Sequence, residues 1–238
     1  MEDKKRIMLR EQKKQKKGRG EAKEEKLKRL QEKRKRAGVI VRRLKKIFPH
    51  AGMVLRYSNH FELLVAVELS AQCTDVRVNI VTKKLFQKYR TLDDYIAADP
   101  REFEKDIYTT GFYKNKTRNI LAAARMVKEK YGGELPKTME EMLLIPGVAR
   151  KTANVVLGNA FGIVEGIAVD THVRRLSRLW RLTSENDPVK IERNLMEILP
   201  KKDWFEFTYL TIEYGRKYCP ARKRDHAGCP LAEFEQST

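Results

Sequence analysis

From Val39 onward, apolar residues recur along this chain at the spacing of amphipathic helices. The most apolar stretch runs from Phe61 to Gln72, and its nearly continuous hydrophobic character predicts a helix buried in a core. A longer amphipathic segment runs from Asn115 to Tyr131 and ends at two glycines. No run alternates apolar and polar residues with the period of a strand. The pattern therefore predicts an all-α fold of about ten helices.

Several predicted helices begin at polar residues that can accept hydrogen bonds from the first helical turn. Asp99 and Asp187 are each followed by proline, which is favoured at the first helical position. Thr138 is followed three residues later by Glu141, the spacing of a capping box. The remaining predicted caps are Thr74, Thr91 and Asp170.

A tight turn separates two of these helical segments. The sequence from Leu144 to Leu157 reads LIPGVARKTANVVL, with apolar residues before Pro146-Gly147 and a helix-forming run after it. This pattern predicts a helix, a hairpin and a second helix that begins at Arg150-Lys151. Such a helix start leaves backbone N–H groups free, and these groups bind anions such as phosphate.

Charge changes this picture, because the chain carries a formal net charge of +19. Residues 1–36 hold 17 Lys/Arg and 7 Asp/Glu, which gives +10 there and leaves +9 on the other residues. An anionic polymer is the expected partner of so basic a protein. We predict that residues 1–36 are disordered or a frayed helix, with breaks at Gly18 and Gly20. This tail serves either as a solvated segment or as a non-specific arm for DNA or RNA.

The apolar runs are all too short for a membrane span, and the N-terminus lacks the apolar core of a signal peptide. The three cysteines are too few for a disulfide scaffold and suit a reducing compartment. We therefore expect no membrane association and a cytoplasmic, nucleoid-associated location, or a nuclear one in a eukaryotic source.

Four stretches resemble the endonuclease III family of DNA glycosylases, within the helix-hairpin-helix superfamily. They are residues 61–75, residues 111–116, the hairpin through Val156, and the step Ile167-Ala168-Val169-Asp170-Thr171-His172. The resemblance spans about residues 37–235. It implies two α-helical lobes with DNA held in the cleft between them. A six-helix barrel would occupy residues 54–163, and residues 37–53 and 164–238 would form a second, discontinuous lobe.

The resemblance also implies an activity, the removal of oxidised pyrimidines from DNA followed by strand cleavage. Lys151 would attack C1′ of the damaged nucleotide, expel the base and form a Schiff base, and β-elimination would then cut the strand. Asp170 would stabilise the positive charge that develops on the sugar. A free lysine has a pKa of about 10.4, so about one amine in a thousand is neutral near pH 7.4. We expect burial and the helix N-terminus to favour the neutral amine.

Both residues also have simpler interpretations. Lys151 could be a phosphate-binding cation at a helix start, and Asp170 could be a helix cap, a role that is compatible with catalysis. His172 is interpreted as a hydrogen-bonded packing residue. Two functional alternatives follow. One is a monofunctional glycosylase in which Asp170 activates water, and the other is a non-catalytic helix-hairpin-helix module that only binds DNA.

The expected partner is double-stranded DNA with a damaged base or an abasic site, bound by a monomer. Gln72 occupies the family position that inserts into the duplex when the damaged nucleotide leaves the stack, and Phe112 matches a second loop that probes the opposite strand. We expect the N–H groups of Gly147, Val148 and Ala149 to bind a phosphate. Ala149 stands where many hairpins have glycine, so its φ must stay negative or some strain must be accepted. The cations predicted to contact phosphates are Lys114, Lys116 and Arg150.

One part of the chain departs from the family pattern. The family usually ends with four cysteines that hold a [4Fe–4S] cluster, whereas the corresponding positions here are Cys219, His226, Cys229 and Glu235. Two of the four thiolates are missing, so an ordinary cluster is not expected. We therefore predict no metal and no cofactor, with a loop held by packing. Zinc bound by these four side chains and an unusual iron cluster remain open as alternatives.

Overall fold

The computed structural model describes residues 2–222 and 228–235, with side chains from residue 23 onward. These residues form eleven α-helices and two short 3-10 turns, and they contain no strand. The helices are α1 Glu2–Ile47, α2 His60–Leu69, α3 Asp75–Lys88, α4 Leu92–Ala97, α5 Pro100–Ile107, α6 Tyr113–Tyr131, α7 Met139–Met142, α8 Arg150–Phe161, α9 Thr171–Leu179, α10 Pro188–Ile198 and α11 Lys201–Lys217. The 3-10 turns are Tyr108–Thr110 and Ala232–Phe234.

All of the predicted helix caps are confirmed. Asp99 accepts hydrogen bonds from the backbone N–H groups of Arg101 and Glu102 at the start of α5. Thr91 forms a complete capping box with Asp94. The remaining predicted caps, which each accept one bond from the first turn of their helix, are Thr74, Thr138, Asp170 and Asp187. Because these bonds are local, residue type and spacing alone predict them.

The first of two hydrophobic cores surrounds α2. Residues 61–69 are all buried, since α2 packs against α3, α6 and α8 on different sides. We call this the first core, and its buried members lie between Leu55 and Ala168. A helix that is apolar on every side is the expected occupant of such a central position.

The second core joins distant parts of the chain. Its buried residues come from the end of α1, between Ala37 and Leu44, and from the segment between Ile167 and Leu231. Helix α1 packs against α10 and α11, while α9 packs against α11. Two fully buried rings, Trp180 and Tyr214, lie edge to face at its centre with centroids 5.3 Å apart.

Polar contacts join the two cores. The Arg216 side chain on α11 pairs with Asp75 at the start of α3 at 2.5 Å. The Asn159 amide on α8 donates to the Tyr209 hydroxyl at 2.6 Å, and the Thr208 hydroxyl donates to the Ala168 carbonyl at 3.0 Å. These bonds fix the relative position of α3, α8 and α11, whose residues line the candidate site.

Helix α1 runs through the basic N-terminal segment for which the sequence left disorder or a frayed helix open. Neither Gly18 nor Gly20 interrupts the helix. Lys, Arg, Glu and Leu are good helix formers, and Arg29 pairs with Glu25 one turn earlier. None of the helices in the described part of the chain combines the length and the apolar character needed to cross a bilayer.

Candidate functional site

The hairpin is a tight turn that leads directly into α8. The Val148 N–H donates to the Ile145 carbonyl at 3.1 Å, and Gly147 adopts a left-handed φ of 84°. Ala149 has φ −94°, so an alanine is accommodated there without strain. As the N-cap residue, Ala149 has no side chain that could bond to the first turn of α8. The N–H groups of that turn are therefore available to a ligand.

Lys151 is the second residue of α8, and its side chain is exposed. The expectation that Lys151 is buried was therefore wrong. Lys151 lies at the N-terminal end of α8, which is the positive end of the helix dipole. Its amine stays in contact with water until a ligand occupies the cavity. Lys151 is exposed because it lies in the first turn of α8, whereas the buried residues of this helix begin at Ala153.

Asp170 lies at the start of α9, where its carboxylate accepts a hydrogen bond from the Val173 N–H at 2.8 Å. This bond fixes the direction of the side chain. The structure brings Asp170 and Lys151 to one cavity of about 680 Å³, although 18 residues separate them in the sequence. A cavity of this volume can hold a ligand of the size of one nucleotide.

The cavity lies between the two cores and is walled by both. The residues that line it from the first core include Val67 of α2, Ser70 directly after α2 and Val155 of α8. From α11, Thr208 and Tyr209 line it. Charged groups at its edge include Asp75, Arg174, Glu213 and Arg216. A second cavity, of about 530 Å³, lies at the other end of α2 and contains none of the predicted site residues.

Gln72 and Phe112 share a backbone conformation that the sequence does not reveal. Gln72 has φ 55° and Phe112 has φ 49°, which is the left-handed region that side chains rarely adopt. Both side chains are exposed, Phe112 at 61%. Residues held in such conformations store about 1–3 kcal/mol each and are concentrated at functional sites. Gln72 lines the Lys151 cavity, whereas Phe112 does not.

The predicted phosphate contact of Lys116 requires correction. Its side chain is buried at 6% exposure, and its ammonium donates to the carbonyls of Leu69 and Thr110, each at 2.9 Å. Burial lowers the pKa of Lys116. The ammonium satisfies the carbonyl at the end of α2 and is not available to DNA. Lys114, by contrast, is exposed.

Arg150 has a partner within the protein. Its Nε donates to Oε2 of Glu192 on α10 at 2.5 Å, and the Glu192 carboxylate is buried. This bond raises the pKa of Arg150. Asn154 donates to the other oxygen of Glu192 at 2.9 Å. Arg150 therefore joins α8 to α10 through Nε, its side chain is still 38% exposed, and its contact with a DNA phosphate stays a prediction.

His172 lines the cavity and packs against α11 as predicted, but in the described part of the chain the hydrogen bond expected of it is absent at Nδ1. Its ring lies against Gly215 of α11, where a Cβ atom would stand 2.3 Å from Nδ1. That nitrogen is buried and has no hydrogen-bond partner among the described residues. Burial lowers the pKa of His172, so the neutral ring is favoured. Only Gly at position 215 leaves room for this arrangement.

Several side chains contact the C-terminal loop. Arg175 donates to Sγ of Cys219 at 3.2 Å and to its carbonyl at 2.5 Å. The Tyr214 hydroxyl donates to Glu235 at 3.2 Å and accepts from the Leu231 N–H at 3.2 Å.

His226 lies outside the described residues, within which no three potential metal ligands come together. Cys73, the third cysteine, lines the Lys151 cavity instead. The donor set at the four family positions contains two thiols and does not fit a cluster held by four thiolates.

Comparison with known proteins matches residues 65–201 to the family described as HhH-GPD superfamily base excision DNA repair protein. Endonuclease III of Synechocystis sp. is 49% identical over 208 residues, which cover 87% of this chain and 95% of that protein. Endonuclease III of Bacillus subtilis is 49% identical over 186 residues, which cover 78% and 84% respectively.

Solved structures give the same result. A non-covalent endonuclease III–DNA complex has a TM-score of 0.82 and 44% identity, with 85% of this chain and 95% of that chain covered. A trapped endonuclease III–DNA covalent intermediate matches equally well. A thermostable thymine-DNA glycosylase shares the fold at 22% identity and a TM-score of 0.73. The predicted all-α, two-lobed helix-hairpin-helix fold is confirmed.

Proposed function

This chain belongs to the endonuclease III family, within the HhH-GPD superfamily of base excision DNA repair proteins, and we propose that its Lys151 cavity removes an oxidised pyrimidine and then cuts the DNA strand. The chain is a base excision repair DNA glycosylase with an associated AP lyase activity. The observation that carries the proposal for the site is the meeting of Lys151 and Asp170 in one cavity.

Lys151 is the proposed nucleophile. Its uncharged Nζ attacks C1′, the bond from C1′ to the base breaks, and the base leaves with the electron pair. Loss of the ring oxygen bond from C1′ gives a Schiff base. Removal of a proton from C2′ then expels the 3′ phosphate by β-elimination. The attack requires the uncharged amine, because an ammonium group has no lone pair to form the new bond.

Asp170 is the proposed electrostatic partner of Lys151. As the C1′ bond to the base breaks, positive charge develops on the sugar, and a carboxylate aimed into the cavity stabilises that charge. The hydrogen bond from the Val173 N–H keeps this carboxylate in one orientation. The hydrogen bond that caps α9 is therefore also the bond that orients the Asp170 carboxylate for its proposed catalytic role.

The proposed partner is duplex DNA with a damaged base or an abasic site, bound by a monomer. The proposed site for a backbone phosphate consists of the N–H groups of Gly147 and Ala149 and of the uncapped first turn of α8. The predicted contact of the Val148 N–H requires correction, because this group bonds to the Ile145 carbonyl. Taking a nucleotide out of the stack costs a few kcal/mol. Gln72 and Phe112 are proposed to fill the gap, since both are exposed on tight left-handed turns. The relatives compared above are bacterial, so the proposed location is the cytoplasm.

The direct test of the substrate is a duplex oligonucleotide with one thymine glycol. We expect release of the damaged base and a nick at that position, whereas the undamaged duplex stays intact. Base release without a nick would support the monofunctional alternative. Binding without either reaction would support the non-catalytic alternative.

Phe112→Ala should weaken binding to the lesion duplex by about tenfold, because base–aromatic stacking contributes about 1–3 kcal/mol. Fluorescence anisotropy with a labelled duplex measures this change. Tyr108→Ala is the matched control, since Tyr108 has the same 61% exposure but lies in the preceding 3-10 turn and has no wedge role. An equal loss of affinity in the two variants would show that Phe112 has no specific role in binding the duplex.

We also propose that the C-terminal loop folds without an iron–sulfur cluster. The support is the donor set with only two thiols, together with the contacts that Arg175, Tyr214 and Glu235 make. The purified protein should show no visible absorbance band and no stoichiometric iron, and a chelator should leave its Tm unchanged. Tyr214→Phe should lower its stability by about 1–3 kcal/mol, because that hydroxyl joins two buried groups.

Elemental analysis decides among the alternatives for this loop. One zinc per chain, with a Tm that falls on chelation, would favour zinc bound at the four family positions. Stoichiometric iron would favour an unusual cluster. Either result would contradict a loop held by protein contacts alone.

A further inference from the structure

A carboxyl group lies directly beneath the hairpin and takes no part in the chemistry described above. Glu68, near the end of α2, is 6% exposed, and its Oε1 has no hydrogen-bond partner among the described residues. A Cβ atom on Gly147 would lie 2.7 to 2.8 Å from both carboxyl oxygens and their carbon. The flat side of the carboxyl therefore rests against the turn, and only glycine leaves space for it.

Within the described part of the chain, Glu68 forms no ion pair. The nearest elements are α3, α6 and α8, and their charged residues closest to the end of α2 have other contacts. Asp75 pairs with Arg216, Lys116 bonds to two carbonyls, and Arg150 pairs with Glu192. Lys151 points into the cavity and forms no ion pair with Glu68. Burial alone raises the pKa of Glu68 to about 8.

We propose that Glu68 must hold its proton for the hairpin to bind a DNA phosphate, so that DNA binding by this chain is linked to one proton. The inference rests on the proposed function, because it takes the N–H groups of Gly147, Ala149 and the first turn of α8 as the phosphate site. Only the turn would separate that phosphate from the carboxyl. A phosphate and an ionised carboxylate on the two sides of one turn, where water is partly excluded, repel each other strongly, whereas a neutral carboxyl does not repel the phosphate.

The direction of the pH effect follows from this repulsion. The carboxyl is mostly protonated at pH 7 and mostly ionised at pH 9, because its pKa lies near 8. Bound phosphate favours the protonated form, and by linkage the protonated protein binds DNA more tightly. Affinity should therefore fall by about tenfold between pH 7 and pH 9.

The experiment measures Kd by fluorescence anisotropy from pH 6.5 to pH 9 at constant salt, with a duplex that contains a tetrahydrofuran abasic analogue. The full-length wild type should lose affinity above pH 8, and Glu68→Gln should bind with nearly constant affinity over this range. Glu68→Leu provides a second neutral variant if the amide disturbs folding, which circular dichroism would detect. Glu62→Gln is the matched control, because Glu62 is also buried in α2 but bonds to the Ser58 N–H at the far end of the helix.

A second readout counts the proton directly. Calorimetry at pH 8.5 in two buffers of different ionisation enthalpy should show that wild-type protein takes up most of one proton on binding, whereas Glu68→Gln takes up none. A wild type that binds at pH 7 with no fall in affinity by pH 9 would overturn the inference. So would a Glu68→Gln variant that keeps the wild-type fall. Failure of the wild type to bind the duplex at any pH would instead overturn the proposed function.

Discussion

Lys151→Gln should abolish nicking at an abasic site and leave no covalent protein–DNA complex after borohydride reduction, a loss of about a thousandfold or more. The amide has no lone pair able to form a Schiff base, while the side chain keeps a similar length. Reduction converts the Schiff base into a stable C–N bond between protein and DNA, so trapping reports on the covalent step and not on binding. The measurement is a gel that resolves free from protein-linked oligonucleotide, with wild type and variant side by side.

Lys202→Gln is the matched control for this experiment. Lys202 is also an exposed lysine at the second position of a helix, α11, but it does not line the cavity. This variant should trap as well as the wild type. If Lys151→Gln were still trapped at the wild-type rate, the nucleophile would be another amine. If the wild type itself gave base release without trapping, water activated by Asp170 would explain the activity better.

Asp170→Asn should slow base release by about a hundredfold while the protein stays folded. Asparagine caps a helix nearly as well as aspartate, so the start of α9 should survive the change. What is lost is the negative charge that faces the sugar as the base departs. Single-turnover base release from the lesion duplex measures this step, and the Tm of each variant measures the cap.

Asp99→Asn makes the same substitution at a helix cap that has no contact with the cavity. It should leave base release unchanged. If Asp170→Asn and Asp99→Asn behaved alike, the carboxylate of Asp170 would be a cap and nothing more. If Asp170→Asn instead lost both activity and Tm, the cap would need the charge, and Asp170→Ser would be required to separate the two roles.

The features of the fold that the sequence predicted well are local ones. The caps at Thr74, Asp99 and Asp187 depend on one side chain and the next helical turn, so residue type and spacing are sufficient. The prediction that Lys151 and Asp170 belong to one site rests on the resemblance to the family. No periodicity in the chain would have placed these two residues at one cavity.

The errors concern residues whose surroundings come from distant parts of the chain. Lys116 looks like a surface lysine in the first turn of a helix, but the carbonyl it satisfies belongs to Leu69, 47 positions earlier. The hydrophobic pattern predicts no role for Glu68, which lies in the most apolar segment of the sequence. A charged residue in the middle of such a segment is itself a signal, since a buried carboxyl needs a partner or a proton.

The composition of the second core has a consequence for how the chain folds. Ala37, Ile40 and Leu44 are synthesised well before residues 167–231, against which they pack. During synthesis this apolar stripe of α1 stays uncovered until those later residues have emerged from the ribosome. Contacts of such high sequence separation slow folding and expose the nascent chain to aggregation. The dense positive charge that precedes the stripe keeps neighbouring nascent chains apart during that interval.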